Sequence, residues 1–335
     1  MSERPHEPAP AGGPLLEIEH LAVRFGPTTV VDDVSFTVAP GEKFALVGES
    51  GSGKSITALS VLRLVDAATT TGRIRFGGED LMQNSEREMR GIRGAAIGMI
   101  FQEPMTALNP LYTVGNQIGE VLELHEALRT NAARARAIEL LAKTGIPDAE
   151  HRVDSYPHQL SGGQRQRAMI AMALACRPAL LIADEPTTAL DVTIQAQILA
   201  LIVDLQKTLG TGLILITHDL GVVAQTAQRV IVMYAGKKVE EATVEALFEN
   251  PRHPYTRGLM ASMPAVIALG AQSDARLTEI PGMVPSLTNL PPGCAFAPRC
   301  KLAVDRCRQA YPPLEEVTPN HWAACWRADE LVGAV

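Results

Sequence analysis

One octapeptide limits what this chain can fold into more than any other stretch. Gly48-Glu49-Ser50-Gly51-Ser52-Gly53-Lys54-Ser55 satisfies the pattern G-x4-G-K-[ST] in full. Before it stands an apolar tetrad, Phe44-Ala45-Leu46-Val47, which reads as a short buried strand, and a helix is expected to start near Lys54. The glycines let the backbone fold tightly enough for successive N–H groups to face phosphate oxygens. The helix start adds the positive end of its dipole. In such a loop the lysine reaches the β- and γ-phosphates and the Ser55 hydroxyl ligates Mg2+. Gly48, Glu49, Ser50, Gly51, Ser52, Gly53, Lys54, Ser55 and Ile56 are therefore the candidate nucleotide-binding residues. The plain alternative is a glycine-rich turn that binds nothing; the complete pattern between a strand and a helix argues against it.

Phosphate loops serve kinases, GTPases, helicases and transporters, so the neighbouring motifs decide. Leu180-Leu181-Ile182-Ala183 reads as a second buried strand and runs into Asp184-Glu185. An aspartate at the C-terminal end of a strand holds Mg2+, and the adjacent Glu185 is placed to polarise an attacking water as general base. The bland reading is an acidic turn before Pro186. Upstream, Leu160-Ser161-Gly162-Gly163-Gln164 sets a serine and a glycine backbone ahead of a helix, which makes a second anion site.

The spacing elsewhere predicts further strands at Leu213–Thr217 and Val230–Tyr234, so strands alternate with helices in an α/β fold with a mostly parallel sheet. Ile194, Ile198, Leu201, Ile202, Leu205 and Leu209 line one helix face, and Gly210 stands where a C-terminal cap belongs. Residues Asn116 to Thr144 read as helices inserted between sheet segments and ending at Gly145. A length of 335 residues allows one large or two modest domains, and 46% apolar with 20% charged residues fits a soluble globular chain. The net charge of −7 argues against nucleic acid as a partner. No apolar run reaches the roughly 18 residues needed to span a bilayer, and no secretory signal is visible, so the cytoplasm is favoured.

The signature pentapeptide Leu160–Gln164 resembles that of the ABC ATPases, and the resemblance covers about residues 15–249 with the motifs in the family's order. It implies a mixed-sheet ATPase core over residues 15–250 with a helical subdomain at about 105–165; the Pro-, Gly- and Ala-rich residues 1–14 read as flexible, and the prolines that multiply after Asn250 mark a small C-terminal module over 251–335. The resemblance also implies roles. Gln102 is the Q-loop glutamine near Mg2+ and the attacking water, with Ser55 and Asp184 as the other Mg2+ positions. His218 contacts the γ-phosphate, Asp191 acts across a dimer interface, and Phe25 stacks on adenine. Leu160, Ser161, Gly162, Gly163 and Gln164 serve an ATP held by the opposite subunit, so that two ATPases sandwich two ATPs head to tail.

Four stretches look like the ATPase subunits of bacterial oligopeptide and dipeptide importers: Gln102–Pro110, Tyr156–Leu160, Asp191–Gln197 and Pro251–Thr256. The run Met169-Ile170-Ala171-Met172-Ala173 is similar to the "D" subunit of those importers. The resemblance implies peptide uptake at the cytoplasmic face of the membrane, beside a second, different ATPase, two transmembrane permeases and an extracytoplasmic solute-binding protein. Residues Glu103 to Thr113 are the implied docking surface for the permeases. An importer for nickel, glutathione or another small solute, and a soluble non-transport ABC ATPase, stand as alternatives.

Four of the five cysteines crowd the C-terminus: Cys294, Cys300, Cys307 and Cys325, spaced C-x5-C-x6-C-x17-C. Four thiolates suit an iron–sulfur cluster or Zn2+, and zinc sites favour closer pairs. The importer ATPases share such a tail, which implies a [4Fe–4S] cluster; zinc and plain thiols remain open. His321 is a possible substitute ligand. Cys176 is expected to pack as a small apolar residue.

Overall fold

A computed structural model describes residues 13–188, 190–263 and 279–333. Of the N-terminal segment expected to be flexible, residues 1–12 lie outside the described residues. In chain order the elements are β1 (Leu16–Phe25), β2 (Thr28–Val38), β3 (Lys43–Val47), α1 (Lys54–Val61), β4 (Thr69–Phe76), β5 (Glu79–Asp80), α2 (Glu86–Ile92), β6 (Ile97–Ile100), α3 (Pro104–Ala107), α4 (Val114–Glu126), α5 (Thr130–Lys143), α6 (Ala149–Arg152), α7 (Gly162–Ala173) and β7 (Leu180–Asp184). There follow α8 (Val192–Leu209), β8 (Gly212–Thr217), α9 (Leu220–Thr226), β9 (Arg229–Tyr234), β10 (Lys237–Thr243), α10 (Val244–Glu249), α11 (Pro254–Ala261), α12 (Asp305–Gln309), β11 (Glu315–Thr318) and β12 (His321–Ala323). The chain divides into two compact units. Of the described residues, one holds 13–17, Thr37–Lys43 and those of Ile74–Ile216; the other holds Ile18–Phe36, Phe44–Arg73 and those of 217–333.

In the first unit β6, β7 and β8 run parallel, with Ile97 opposite Leu180 and Leu180 opposite Gly212. All residues of β6 and β7 are buried, as expected of parallel strands covered on both faces. Helices α3 to α7 form the inserted helical region. Its core is Leu108, Val114, Ile118, Leu122, Ala133, Ala137, Leu141, Ala168 and Ala171. Thr113 caps α4 by accepting from the Asn116 N–H, and Gly145 follows α5 with φ +77°. Cys176 packs half-buried against this core, and burial pushes its thiol up to about 11.

Helix α8 ends at Gly210, left-handed at φ +69°, as its spacing predicts. Its buried face is narrower than the apolar line implies. Ile198 and Ile202 are buried, Leu201 and Leu205 only in part, and the third buried residue is Gln206. The Gln206 Nε2 donates to the carbonyls of Gly41 at 3.1 Å and Thr211 at 2.7 Å. An amide buried with both loop carbonyls satisfied locks the end of the helix, a role that hydrophobic spacing cannot express.

In the second unit β3 is parallel to β9, and β10 returns antiparallel with a bulge between Lys238 and Glu240. The C-terminal strands extend this sheet: β12 pairs with β10, and β11 with β12. Beneath lies an apolar core that includes Val47, Val230, Val232, Tyr234, Tyr255 and Phe296.

Glu240 pins the C-terminal segment to the sheet. Its carboxylate is wholly buried and accepts from the N–H groups of Arg252 at 2.6 Å and His253 at 3.0 Å; its Oε1 lies 2.7 Å from His321 Nε2. Removing one member of such a buried set strands the others in low dielectric. Glu240→Ala is expected to destabilise the chain by about 3 kcal/mol or more, read as a lower denaturant midpoint with an unchanged slope.

Candidate functional site

In the second unit the phosphate loop leaves β3 and enters α1. A Cβ on Gly48 would sit 2.2 Å from the Met233 carbonyl, so the loop runs flush against β9 and no side chain fits. Gly53 caps α1 at φ +99°, a left-handed conformation that side chains avoid. The Gly236 N–H donates to the Ser52 carbonyl at 3.1 Å and closes the loop from the β9–β10 turn. Lys54 is buried and folds back over the loop. Its Nζ donates to the carbonyls of Gly48 at 2.7 Å and Glu49 at 3.1 Å, and reaches Ser52 Oγ at 3.4 Å. The ammonium thus stands inside the turn where a polyphosphate would be cradled. Ser55 and Ile56 are partly buried in the first turn of α1, Ser50 and Gly51 lie at the rim, and Phe25 is half-buried at the end of β1.

Glu49 is held twice from the C-terminal segment. Its carboxylate receives two bonds from Arg299, at 2.6 and 3.0 Å, and its N–H donates to Tyr255 Oη at 2.7 Å. Tyr255 is fully buried, and burial raises its phenol well above the usual range. His218 and Asp219 stand exposed between β8 and α9, where Asp219 caps the helix by accepting from the Gly221 N–H at 2.7 Å.

In the first unit β7 ends in buried Asp184, and the chain then turns sharply at Glu185. Glu185 has φ +43°, a strained value for a residue with a side chain. Its N–H donates to the Ile216 carbonyl at 3.0 Å, and its carboxylate accepts from Thr188 Oγ1 at 2.8 Å and from Gln102 Nε2 at 3.2 Å. The structure thus brings together Gln102 and Glu185, which are far apart in sequence. Ser161 caps α7 in a reciprocal box: it accepts from the Gln164 N–H at 3.3 Å, and Gln164 Oε1 accepts from the Ser161 N–H at 3.0 Å. Leu160 is buried, Ser161 and Gly162 are exposed, and Gly163 is partly buried. Asp191 caps α8, accepting from the Ile194 N–H at 3.0 Å. In the segment named as a docking surface, Leu111 and Tyr112 are 79% and 54% exposed.

Cys294, Cys300, Cys307 and Cys325 line one cavity, together with Phe296, Leu302, Pro312 and Trp326. Burial in these apolar walls pushes the thiols of Cys294 to about 11 and Cys325 to about 12, and raises Cys300. Backbone N–H groups are directed at three of the sulfurs: Phe296 and Ala297 at Cys294, Leu302 at Cys300, and Arg327 at Cys325. Among the described residues no group of three or more His, Cys, Asp or Glu side chains is close enough to hold a single metal ion. His321 does not line the cavity. It is committed to Glu240, which corrects its reading as a substitute ligand.

Sequence reasoning missed Arg299, Tyr255 and Glu240. Arg299 and Tyr255 lie inside stretches singled out for other reasons, Arg299 beside Cys300 and Tyr255 after Pro254, but nothing in their spacing points back to Glu49.

A glycine-built turn between a parallel strand and a helix, with a lysine folded over it, defines a P-loop nucleotide-binding protein, and the capped Ser-Gly-Gly-Gln helix narrows that class. Residues 31–188 match the ABC transporter family, and residues 239–307 match the C-terminal region of oligopeptide/dipeptide transporters. The chain is 49% identical over 317 residues to the dipeptide transport ATP-binding protein DppD of Escherichia coli, covering 93% of this chain and 96% of DppD. It is 52% identical over 319 residues to the oligopeptide transport ATP-binding protein OppD of Bacillus subtilis, covering 93% and 88%. A probable peptide ABC transporter ATP-binding protein of Sinorhizobium fredii is 55% identical over 325 residues, covering 95% and 96%. Among solved structures, a subunit of the cbiONQ ABC transporter complex of Clostridium perfringens superposes with TM-score 0.61 at 30% identity, over 70% of this chain and 90% of that one. An ATP-binding cassette solved as a dimer in a post-hydrolysis state with ADP and Pi gives 0.61 at 28% identity, over 68% and 98%. The chain belongs to the ABC transporter family, as one of its ATP-binding subunits.

Gly48→Ala is expected to lower stability by about 1–3 kcal/mol, because β9 backbone occupies the space a methyl group needs. Thermal melting and titration with MgATP, which should bind more weakly, check this.

Proposed function

We propose that this subunit hydrolyses ATP to drive uptake of di- or oligopeptides through an ABC importer. The ABC ATPase class rests on the family match; the peptide class follows from relatives named for peptide transport and from the match of residues 239–307 to the oligopeptide/dipeptide C-terminal region. The observation that carries the chemistry is the carboxylate of Glu185, held at a strained turn by Gln102 and Thr188 immediately after buried Asp184.

In this reading the amides of Gly48 to Ser55 bind the polyphosphate, and Lys54 releases its hold on the loop carbonyls to meet the γ-phosphate. Ser55, Asp184 and Gln102 would hold Mg2+, which neutralises phosphate charge when bound. Glu185 takes a proton from the attacking water, and His218 orients the γ-phosphate. The hydroxyl of Ser161, with the amides of Gly162 and Gly163, closes over an ATP held by a second ATPase subunit, and Asp191 acts at that dimer interface. ATP binding closes the dimer and hydrolysis reopens it, so two chemical states bias a two-state machine. The cassette solved as a dimer with ADP and Pi supports a paired arrangement. The partners are a second, different ATPase, two permeases and the solute-binding protein they serve. Among the described residues no helix is long and apolar enough to cross a membrane. In this reading the subunit docks at the cytoplasmic face through residues 103–113, where Leu111 and Tyr112 are exposed. Residues 15–250 act as the motor domain and 251–335 as its C-terminal module.

Glu185→Gln is expected to reduce ATP turnover by at least about 100-fold while MgATP binding persists. Steady-state phosphate release and nucleotide titration measure both, and near-normal turnover would remove Glu185 from the mechanism.

The four cysteines would hold an iron–sulfur cluster as a structural staple. What supports this reading is that all four sulfurs line one cavity and that the Arg327 N–H donates to Cys325 Sγ at 3.4 Å. Anaerobically purified protein is expected to contain iron and acid-labile sulfide with a broad visible absorbance. Stoichiometric zinc without iron would exclude the cluster.

A further inference from the structure

The phosphate loop is held in shape by the C-terminal segment through one guanidinium. The Arg299 side chain is 5% exposed and makes a forked pair with Glu49, Nη1 to Oε2 at 2.6 Å and Nη2 to Oε1 at 3.0 Å. The fork cannot swing. Its Nε donates to the Pro281 carbonyl at 3.0 Å, Nη1 reaches Tyr234 Oη at 3.3 Å, and the guanidinium lies 5.9 and 5.8 Å from the ring centres of Tyr234 and Phe296. Tyr255 holds the backbone of the same loop residue. The Glu49 carbonyl in turn accepts from Lys54 Nζ at 3.1 Å and from the Ser52 N–H at 3.2 Å. An unbroken set of polar contacts therefore runs from Arg299 through Glu49 to Lys54.

We propose that Arg299 is a positioning residue for ATP binding: by fixing Glu49 it holds the phosphate-loop backbone in the arrangement a polyphosphate needs before the nucleotide arrives. The C-terminal segment is thereby part of the nucleotide site and not only an attachment to it. A loop already ordered loses less conformational freedom on binding, so the benefit appears in affinity. A planar fork does this where an ammonium cannot, because two parallel bonds fix orientation as well as distance. Arg299 and Glu49 make this contact whether the cysteines hold a cluster, zinc or neither.

The test uses the full-length chain. Arg299→Gln is expected to raise the ATP KM, and the Kd for MgADP measured by calorimetry, by about tenfold, with kcat at saturating ATP within about twofold of wild type. Arg299→Lys should not restore affinity. Glu49→Gln should produce the same shift from the loop side, and Glu49→Gln/Arg299→Gln should be no weaker than either single variant, since both cut one contact. A purely structural role would lower the melting temperature and the active fraction and leave KM unchanged. That result, or additive shifts in the double variant, would overturn the proposal. Should Arg299→Gln fail to fold, Glu49→Gln decides alone: its side chain is 29% exposed, and an unchanged MgADP Kd there overturns the proposal.

Discussion

The turn between β3 and α1 works only because its backbone lies closer to β9 than any side chain would permit. At Gly48 the Met233 carbonyl occupies the Cβ position, and at Gly53 the Val30 carbonyl stands 2.9 Å from it. Close approach wraps the loop into a cradle, and the cradle gives Lys54 carbonyl acceptors to fold onto. A buried ammonium without such acceptors would lose its charge or its place. The carbonyls hold it at the loop, where a more negative ligand can take their place.

The C-terminal segment likewise owes its place to contacts with the rest of its unit. A loop-rich stretch with several prolines buries little apolar surface by itself. Here it is attached to the sheet by β12, by the buried Glu240 carboxylate with its two backbone donors and His321, and by Phe296 packed edge-on against Tyr234 at 5.2 Å. Those attachments aim Arg299 at the phosphate loop. The four thiols around their cavity sit in the same polypeptide segment, Cys300 directly following Arg299.

Strain and capping mark the acidic half. Glu185 holds a positive φ at a place where ordinary turns use glycine, and hydrogen bonds from its backbone and its carboxylate restrain it. Ser161 and Asp191 each cap the helix they precede. Capping fixes the backbone at the exposed start of α7. The same side chains thus stabilise their helices and keep the start of each in one conformation.

The sequence alone determined the elements whose cause is local. The apolar tetrad before Gly48, the run Leu180–Ala183 before Asp184 and the helix stopped by Gly210 were legible because side-chain spacing and glycine's freedom act within a few residues. The phosphate-loop pattern was legible for the same reason, since eight consecutive residues contain its whole logic. Only the tertiary structure decided what depends on residues distant in the chain: Gln206 satisfying Gly41 and Thr211, His321 committed to Glu240 instead of the cysteines, Gln102 meeting Glu185, and Arg299 gripping Glu49 across 250 positions. Polar partners have no period. A hydrogen bond is specified by where two folded segments meet, and that meeting is set by the packing of the entire unit.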